Sequence, residues 1–298
     1  MSASSGLRPA WSDAFAPAVL PRLRPVSPLD DRTITREWAW GGSTGAGVRV
    51  AVIDSGIEAG HPAVGAVQGS VAISTGPGDE LVYDEAPHAD AFGHGTACAG
   101  IIRALAPGCE LYSVKVLGAD LTGRGIVFAA GLRWAIERGM HLCNLSLSTG
   151  RADFFGLFHE LADLAYFRRI PLVCAANNVP GPSYPSLYGV VLSVAAHEGR
   201  DPERFDVNPA PPVEFGAPGL DVEVAWLNGG SITATGNSFA TPHIAGLVAR
   251  LLGKHPGLTV YQVKTVLHAL ATNAGAGPGE DVAGPPQKTA ATGRPRPW

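Results

Sequence analysis

From Gly47 onward the chain alternates short, continuous apolar runs with stretches in which apolar residues recur at helical spacing. Such runs are typical of strands buried on both faces of a sheet. The helical stretches between them include Gly125–Arg138 and Phe154–Arg168. The alternation predicts an α/β fold with a doubly wound, mostly parallel sheet flanked by helices. The predicted strands are Val48–Ile53, Glu110–Val116, His141–Leu147, Pro171–Ala176 and Val190–Ala195.

The composition changes at both ends of this alternating region. Residues 1–35 are rich in Ser, Pro and Arg and show little periodicity, which predicts a partly disordered N-terminal extension. Two further helices, Ser238–Leu252 and Thr259–Ala271, are predicted to close the domain, and the sequence then becomes rich in Gly and Pro. We therefore expect one domain over residues 36–272 and a flexible tail over 273–298.

Bulk properties exclude several classes of protein. A hydrophobic content of 46% with 16% charged residues is that of a globular protein with a full core. The formal net charge of −4 and the pI near 6.1 offer no basic face for nucleic acid. No window has the apolar length of a membrane span, and the first residues lack the apolar core of a secretion signal. The sequence predicts neither nucleic-acid nor membrane binding.

The four cysteines lie in apolar or small-residue stretches, and their spacing matches no zinc-binding pattern. Buried free thiols are therefore favoured over disulfides as the state of these side chains. Together with the expected absence of a secretion signal, this predicts a reducing, cytoplasmic setting. The four residues are Cys98, Cys109, Cys143 and Cys174.

Three short motifs follow one another in the order Asp, His, Ser. They are VAVIDSG around Asp54, GHGTACAG around His94 and GNSFATPH around Ser238. Unrelated folds that share Ser–His–Asp chemistry place the three residues in different chain orders, and this one is the subtilisin order. Over roughly residues 38–272 the chain resembles the subtilisin-like serine peptidases, or subtilases. The resemblance implies a subtilisin-like three-layer sandwich.

Each motif also has a local reason for its sequence. Asp54 ends a predicted strand, and the glycines around His94 allow close backbone approach before a helix that begins at about Thr96. The Ser238 amide lies at a helix start, where the helix dipole favours an oxyanion, and Pro242 is expected in the first turn. Taken singly, Asp54 has an alternative role as the cap of its own turn, and Ser238 as a helix N-cap.

The resemblance implies that Ser238 is the nucleophile, His94 its general base and Asp54 the group that orients the imidazole. The family places an oxyanion-binding Asn at the end of an Ala-Ala-Gly-Asn run. The run here ends in two asparagines, and alignment by position gives Asn178 as the donor with Asn177 in the place of glycine. Asn tolerates left-handed backbone angles better than most residues, and the choice between the two asparagines stays open.

The same resemblance implies two backbone edges that bind an extended peptide by strand addition. The residues concerned are Ser146, Leu147 and Ser148 on one edge and Leu121, Thr122 and Gly123 on the other. Ser148 and Asn177 both replace glycines of the family at the primary pocket. We therefore expect a pocket that is narrower or more polar than in broad-specificity members.

Two features depart from the family pattern. Cys98 lies one helical turn beyond His94 and is interpreted as a buried packing thiol rather than a catalytic group. Between Gly100 and Leu111 there is no room for the calcium loop of secreted relatives, and the acidic segment 79–90 fits no EF-type loop. No cofactor is expected. Calcium stays open as an alternative, but no recognisable calcium-binding loop supports it. Asp90 is a candidate for favouring a basic substrate residue.

These features predict a serine endopeptidase that performs limited processing of a precursor or leader peptide inside the cell. Two alternatives remain at this point: an inactive subtilisin-like module that binds peptides, and an acyl-transfer variant that ligates or cyclises them. A lipase or esterase is disfavoured because Ser238 lacks the Gly-x-Ser-x-Gly turn. The sequence sets no oligomeric state.

Overall fold

The computed structural model describes residues 34–208, 210 and 212–274. The predicted extension 1–35 and tail 273–298 lie almost entirely outside the described residues, so these two predictions stay predictions. The helices are α1 (Arg36–Trp40), α2 (His94–Leu105), α3 (Gly125–Glu137), α4 (Phe155–Phe167), α5 (Asn237–Lys254) and α6 (Val260–Leu270). The strands are β1 (Arg49–Asp54), β2 (Gly69–Thr75), β3 (Leu81–Asp84), β4 (Glu110–Lys115), β5 (Leu142–Leu145), β6 (Leu172–Ala175), β7 (Leu192–His197), β8 (Asp206–Val207), β9 (Phe215–Pro218), β10 (Val222–Trp226) and β11 (Gly230–Ala234).

A nine-stranded sheet in the order β3-β2-β4-β1-β5-β6-β7-β9-β8 runs through the domain. The seven inner strands are parallel, and β3 and β8 pair antiparallel at the two edges. β10 and β11 form a separate antiparallel hairpin. The predicted doubly wound, mostly parallel sheet is confirmed.

Helices cover both faces of the sheet. On one face, α3 packs on β1, β2 and β4, and α4 packs beside α3. Ala51 and Ile53 of β1 belong to this side of the core, together with Phe158 of α4. α5 packs along β5, β6, β7 and β9 and contacts α2. Strand side chains alternate between faces, so burial on both sides explains why the inner strands read as unbroken apolar runs.

The five predicted strands each appear, with boundaries shifted by no more than two residues. The sequence pattern missed the inner strands β2 and β9, the edge strands β3 and β8, the hairpin β10–β11 and the short helix α1. α2 begins at His94 rather than at about Thr96. Pro242 is the sixth residue of α5, so the prediction that it lies in the first turn is wrong. Among the described residues, no helix has both the length and the apolarity to cross a bilayer.

Candidate active site

The carboxyl ends of the central strands, where α/β sheets generally bind ligands, carry the three motif residues. Asp54 is the last residue of β1, and His94 is the first residue of α2. Ser238 is the second residue of α5. Asp54 is 0% exposed and His94 5% exposed, whereas Ser238 is half-buried and reaches the surface of a cleft.

The three side chains form one hydrogen-bonded chain. His94 Nδ1 lies 2.9 Å from both Asp54 carboxylate oxygens, and His94 Nε2 lies 2.9 Å from Ser238 Oγ. The Ser55 amide also donates to Asp54 Oδ1 at 2.8 Å. Because the carboxylate only accepts, Nδ1 carries the proton, which leaves Nε2 free to accept from the Ser238 hydroxyl.

Two opposing effects set the pKa of His94. Burial lowers it, but the adjacent Asp54 carboxylate attracts the imidazolium and accepts its hydrogen bond. The net result is a pKa well above the ordinary value of 6.5. The site therefore holds a base that is strengthened by its buried carboxylate partner.

The start of α2 needs glycine beside His94. A Cβ on Gly95 would lie 2.0 Å from the carbonyl oxygen of Gly56 and 3.1 Å from the Asp54 Cβ. No side chain fits there, so glycine alone lets the helix start approach the end of β1 this closely. That approach is what puts His94 within hydrogen-bonding distance of Asp54.

Asp90 is a structural carboxylate, and the suggestion that it favours a basic substrate residue is wrong. It is buried, and its Oδ1 accepts from the Ser55 hydroxyl and from the Phe92 and Gly93 amides. Its Oδ2 accepts from the amide and the hydroxyl of Thr96. Burial raises the pKa of Asp90, but these hydrogen bonds outweigh burial and hold the pKa below its usual value. Asp90 fixes the loop that carries His94.

Pro242 leaves the backbone carbonyl of Ser238 without the usual hydrogen bond of an α-helix. Proline has no N–H, so it cannot donate to the carbonyl four residues back, which is that of Ser238. The Ser146 hydroxyl donates to that carbonyl instead, at 2.8 Å, and the Cys98 thiol lies 3.6 Å from it. Burial raises the pKa of the Cys98 thiol. The contacts agree with the interpretation of Cys98 as a packing residue.

The side chain of Asn178 is oriented by α5. Its Oδ1 accepts from the Asn237 amide at 2.9 Å, so its NH₂ group points away from that contact. A Cβ built on Gly236 would lie 3.3 Å from Ser238 Oγ and 3.7 Å from Asn178 Nδ2, which puts both atoms beside the same small space. The backbone amide of Asn177, by contrast, donates to Ser183 Oγ at 3.0 Å.

The left-handed backbone conformation that asparagine tolerates is not adopted by Asn177. Among the described residues, the non-glycine residues with positive φ do not include it. Leu121 does adopt the left-handed conformation, with φ of 57°. Its turn is closed by the Gly118 amide donating to the Thr122 carbonyl at 2.9 Å.

One cleft of about 970 Å³ brings the predicted substrate contacts together with His94 and Ser238. Both predicted edges line it, as do both asparagines. The residues are Leu121, Thr122, Gly123, Ser146, Leu147, Ser148, Asn177 and Asn178. The apolar side chains of Ile126, Phe128 and Phe154 also line the cleft. A cleft of this size, lined by two backbone edges, suits an extended peptide.

The two walls beside Ser238 are tied together just beyond Ser148. Thr149 and Tyr184 exchange backbone hydrogen bonds at 2.9 and 2.8 Å, forming an isolated β-bridge. The Ser183 hydroxyl, which receives the Asn177 amide, is itself bonded to Ser186 Oγ at 2.7 Å. The bridge therefore joins the segment that follows Ser148 to the segment that follows Asn178, and Thr149 and Asn177 of these segments line the cleft.

The acidic segment 79–90 has its carboxylates engaged within the protein. Asp79 pairs with Arg124 at 2.6 Å, and Glu85 pairs with Arg138. Asp84 accepts from the Ala86 amide at 2.9 Å. Among the described residues, the one group of three metal-ligating side chains within reach of one another contains Asp54, His94 and Cys98, whose nitrogen and oxygen atoms already hold the chain to Ser238.

Comparison with known proteins assigns the chain to a family. The family model of the subtilases matches residues 45–284. The chain is a subtilase. Subtilisin BL of Lederbergia lenta is 35% identical over 247 residues, which are 78% of this chain and 87% of that protein. A thermostable alkaline protease of Halalkalibacterium halodurans is 33% identical over 279 residues, covering 86% of this chain and 74% of its relative.

Solved structures agree with the sequence relatives. Sphericase superposes on this subtilase with a TM-score of 0.64 at 26% identity, over 75% of this chain and 82% of its own. A cold-adapted subtilisin-like serine proteinase gives a TM-score of 0.61 at 25% identity, over 76% and 82% of the two chains. Family and relatives together identify the subtilase as a serine endopeptidase, a hydrolase.

Proposed function

We propose that this subtilase cleaves peptide bonds through an acyl-enzyme, with Ser238 as nucleophile, His94 as general base and Asp54 as the orienting carboxylate. Ser238 Oγ attacks the carbonyl carbon while its proton moves to His94 Nε2. The tetrahedral intermediate collapses as His94 gives that proton to the leaving amine. Water, deprotonated by His94, then releases the acyl group and restores Ser238.

The observation that carries the proposal is the unbroken hydrogen-bonded chain from Asp54 to Ser238, opening onto a peptide-sized cleft. The test is to incubate the protein with an unfolded protein substrate and to map the products by mass spectrometry. Cleavage products support hydrolysis, whereas ligated or cyclic products made from added peptide amines support the acyl-transfer alternative. Intact substrate at all pH values between 6 and 10 would contradict both.

The oxyanion is stabilised by the Ser238 amide and the Asn178 side chain. Replacing Asn178 with alanine removes one donor, and we expect kcat to fall roughly 10²- to 10³-fold with little change in KM, as for the equivalent donor in subtilisin. Asn177→Ala is the matched control, because within the described part of the chain its side chain accepts only from the Val179 amide, at 3.4 Å. A larger loss in Asn177→Ala than in Asn178→Ala would exchange the roles of the two residues.

The raised pKa of His94 predicts an alkaline enzyme. The imidazole must be neutral to accept the Ser238 proton, so activity is lost as the pH falls through the His94 pKa. We expect the acidic limb of kcat/KM to have its midpoint above pH 6.5. Hydrolysis of a fluorogenic peptide across the pH range measures this midpoint, and a midpoint below pH 6 would contradict the pKa direction.

We propose that the pocket beside Ser148, which lines the cleft with Ser238, restricts the residue whose carbonyl is attacked. Ser148→Gly removes a side chain from one wall, and we expect it to raise kcat/KM for large apolar residues at this position by about tenfold relative to Ala or Ser, because a pocket discriminates on that scale per methylene. Cleavage-site profiling of both proteins measures the shift. An unrestricted preference of the unaltered protein for large apolar residues would contradict it.

The proposed setting is the cytoplasm, with limited processing of a precursor or leader peptide as the role. Support comes from the four cysteines, which are all buried and free. Burial raises the pKa of Cys109 to about 11 and that of Cys143 to about 12, so both thiols are unreactive. Fractionation of the source cells tests the location. A comparison of peptides from cells with and without the active serine tests the role, because uncleaved precursor accumulates when processing is lost.

The proposed chemistry uses no cofactor. Every proton transfer is assigned to Ser238 or His94, and the acidic groups of segment 79–90 are engaged with arginines or backbone amides. Dialysis against EDTA, followed by measurement of kcat and of the unfolding temperature with and without added calcium, tests this proposal.

A further inference from the structure

We infer that Asn237 is a positioning residue for the oxyanion donor Asn178, an inference that rests on the proposed function. Its side chain lies where α5 meets the ends of two neighbouring strands. Asn237 Oδ1 accepts from the Ala196 amide of β7 at 2.8 Å. Asn237 Nδ2 donates to the carbonyls of Ala176 and Asn177 at 3.1 and 3.2 Å. One amide group thus joins the helix start to both strand ends.

The backbone and the side chain of Asn237 act on Asn178 in different ways. The backbone amide donates to Asn178 Oδ1 and turns the Asn178 NH₂ group toward the cleft. The side chain holds the two carbonyls that immediately precede Asn178, so it fixes where that residue starts. Asn177 and Asn178 are both exposed and lie beyond the end of β6 at Ala175, so the sheet itself does not fix their position. Without the side chain, the donor would keep its hydrogen-bonding group but lose its fixed position.

The pattern of hydrogen-bond donors and acceptors around the side chain requires a carboxamide at position 237. The two donated bonds need an NH₂ group, and the accepted bond needs a carbonyl oxygen, so a planar carboxamide satisfies all three. An aspartate of the same shape would keep the bond from Ala196 and face the carbonyls of Ala176 and Asn177 with a second oxygen. Oxyanion donors act through preorganised geometry, and a shift of about 1 Å costs up to about 10²-fold in rate.

The test is a double-mutant cycle between Asn237 and Asn178. We expect Asn237→Ala to lower kcat roughly 10- to 100-fold with KM changed less than about twofold. In the Asn178→Ala background, we expect the same change to lower kcat by less than about threefold, because the group that it positions is gone. Rates are normalised to the fraction of serine that reacts with a fluorophosphonate probe, so that loss of folded protein is removed from kcat.

A matched control is Asn273→Ala. The Asn273 side chain likewise binds backbone groups, because it accepts from the Val207 amide and donates to the Val207 carbonyl. Val207, however, belongs to the edge strand β8. We expect the normalised kcat of Asn273→Ala to equal that of the unaltered protein. If Asn237→Ala does not fold, Asn237→Ser replaces it in the cycle, since a neutral hydroxyl adds no charge beside the oxyanion.

An equal loss of kcat in both backgrounds would overturn the inference, because it would mean that Asn237 acts independently of Asn178. Unchanged kcat in Asn237→Ala would overturn it as well. The proposed function fails in a different way, namely if Asn178→Ala and Ser238→Ala both leave the rate intact. A result in which Asn178→Ala is impaired and Asn237→Ala is not therefore rejects the positioning role alone.

Discussion

Replacing Ser238 with alanine is expected to lower kcat by roughly 10⁶-fold, the scale on which loss of the nucleophile acts in subtilisin. The hydroxyl at 2.9 Å from His94 Nε2 is the group that we propose forms the acyl-enzyme, and the half-buried helix start holds it toward the cleft. Binding of substrate does not depend on this oxygen, so KM should change little. Steady-state hydrolysis of a fluorogenic peptide, followed over days for the variant, measures the loss.

Ser231→Ala is the matched control for this prediction. Its hydroxyl, on the exposed strand β11, donates to Glu223 at 3.1 Å, so its loss leaves the cleft unchanged. His94→Ala should cost about as much as Ser238→Ala, and the double variant little more, because the two groups act as a unit. Losses that multiply in the double variant would contradict the shared proton transfer.

Replacing Asp54 with asparagine is expected to lower kcat by roughly 10⁴-fold, as the corresponding change does in a serine-peptidase triad. The side chain is fully buried and accepts from His94 Nδ1 and from the Ser55 amide. An Asn NH₂ group facing Nδ1 stabilises the tautomer that carries its proton on Nε2. That tautomer has no lone pair directed at the Ser238 hydroxyl, so it cannot act as the base.

The same variant removes the charge that raises the His94 pKa. The acidic limb of the residual kcat/KM should therefore move to lower pH, which a merely misfolded variant would not show. Asp221→Asn is the matched control, since Asp221 accepts from the Thr235 hydroxyl at 3.1 Å on an exposed turn. A loss of less than about tenfold in Asp54→Asn would contradict the orienting role of the carboxylate.

The sequence was sufficient to predict the sheet and the three motif residues, because both kinds of information are local. A central strand such as β1 shows its burial in its own composition, and His94 lies between glycines required by its own backbone. β2, the edge strands and the hairpin β10–β11 carry no such run because they are partly exposed, and β9 is only four residues long. Their existence depends on neighbours that the local pattern does not contain.

The supporting contacts of the site could not be read from the sequence for the same reason. Asn237 bonds to residues 41 and 61 positions away, and an asparagine before a serine has no periodicity that marks these partners. The short spacing from Asp90 to Thr96 was visible, but it did not show that the carboxylate turns inward. Pro242 lies in the second turn whether the helix is counted from the predicted start at Ser238 or from the observed start at Asn237, so its placement in the first turn was an error of counting rather than of the pattern.

The most direct test of the account is labelling of the purified protein with a fluorophosphonate probe, followed by mass mapping of the labelled peptide and repeated on Ser238→Ala. The account predicts a single label on Ser238, faster at pH 9 than at pH 6, and no label in the variant. Label on another residue, or no label in folded protein at any of these pH values, would contradict the assignment of Ser238 as the activated nucleophile.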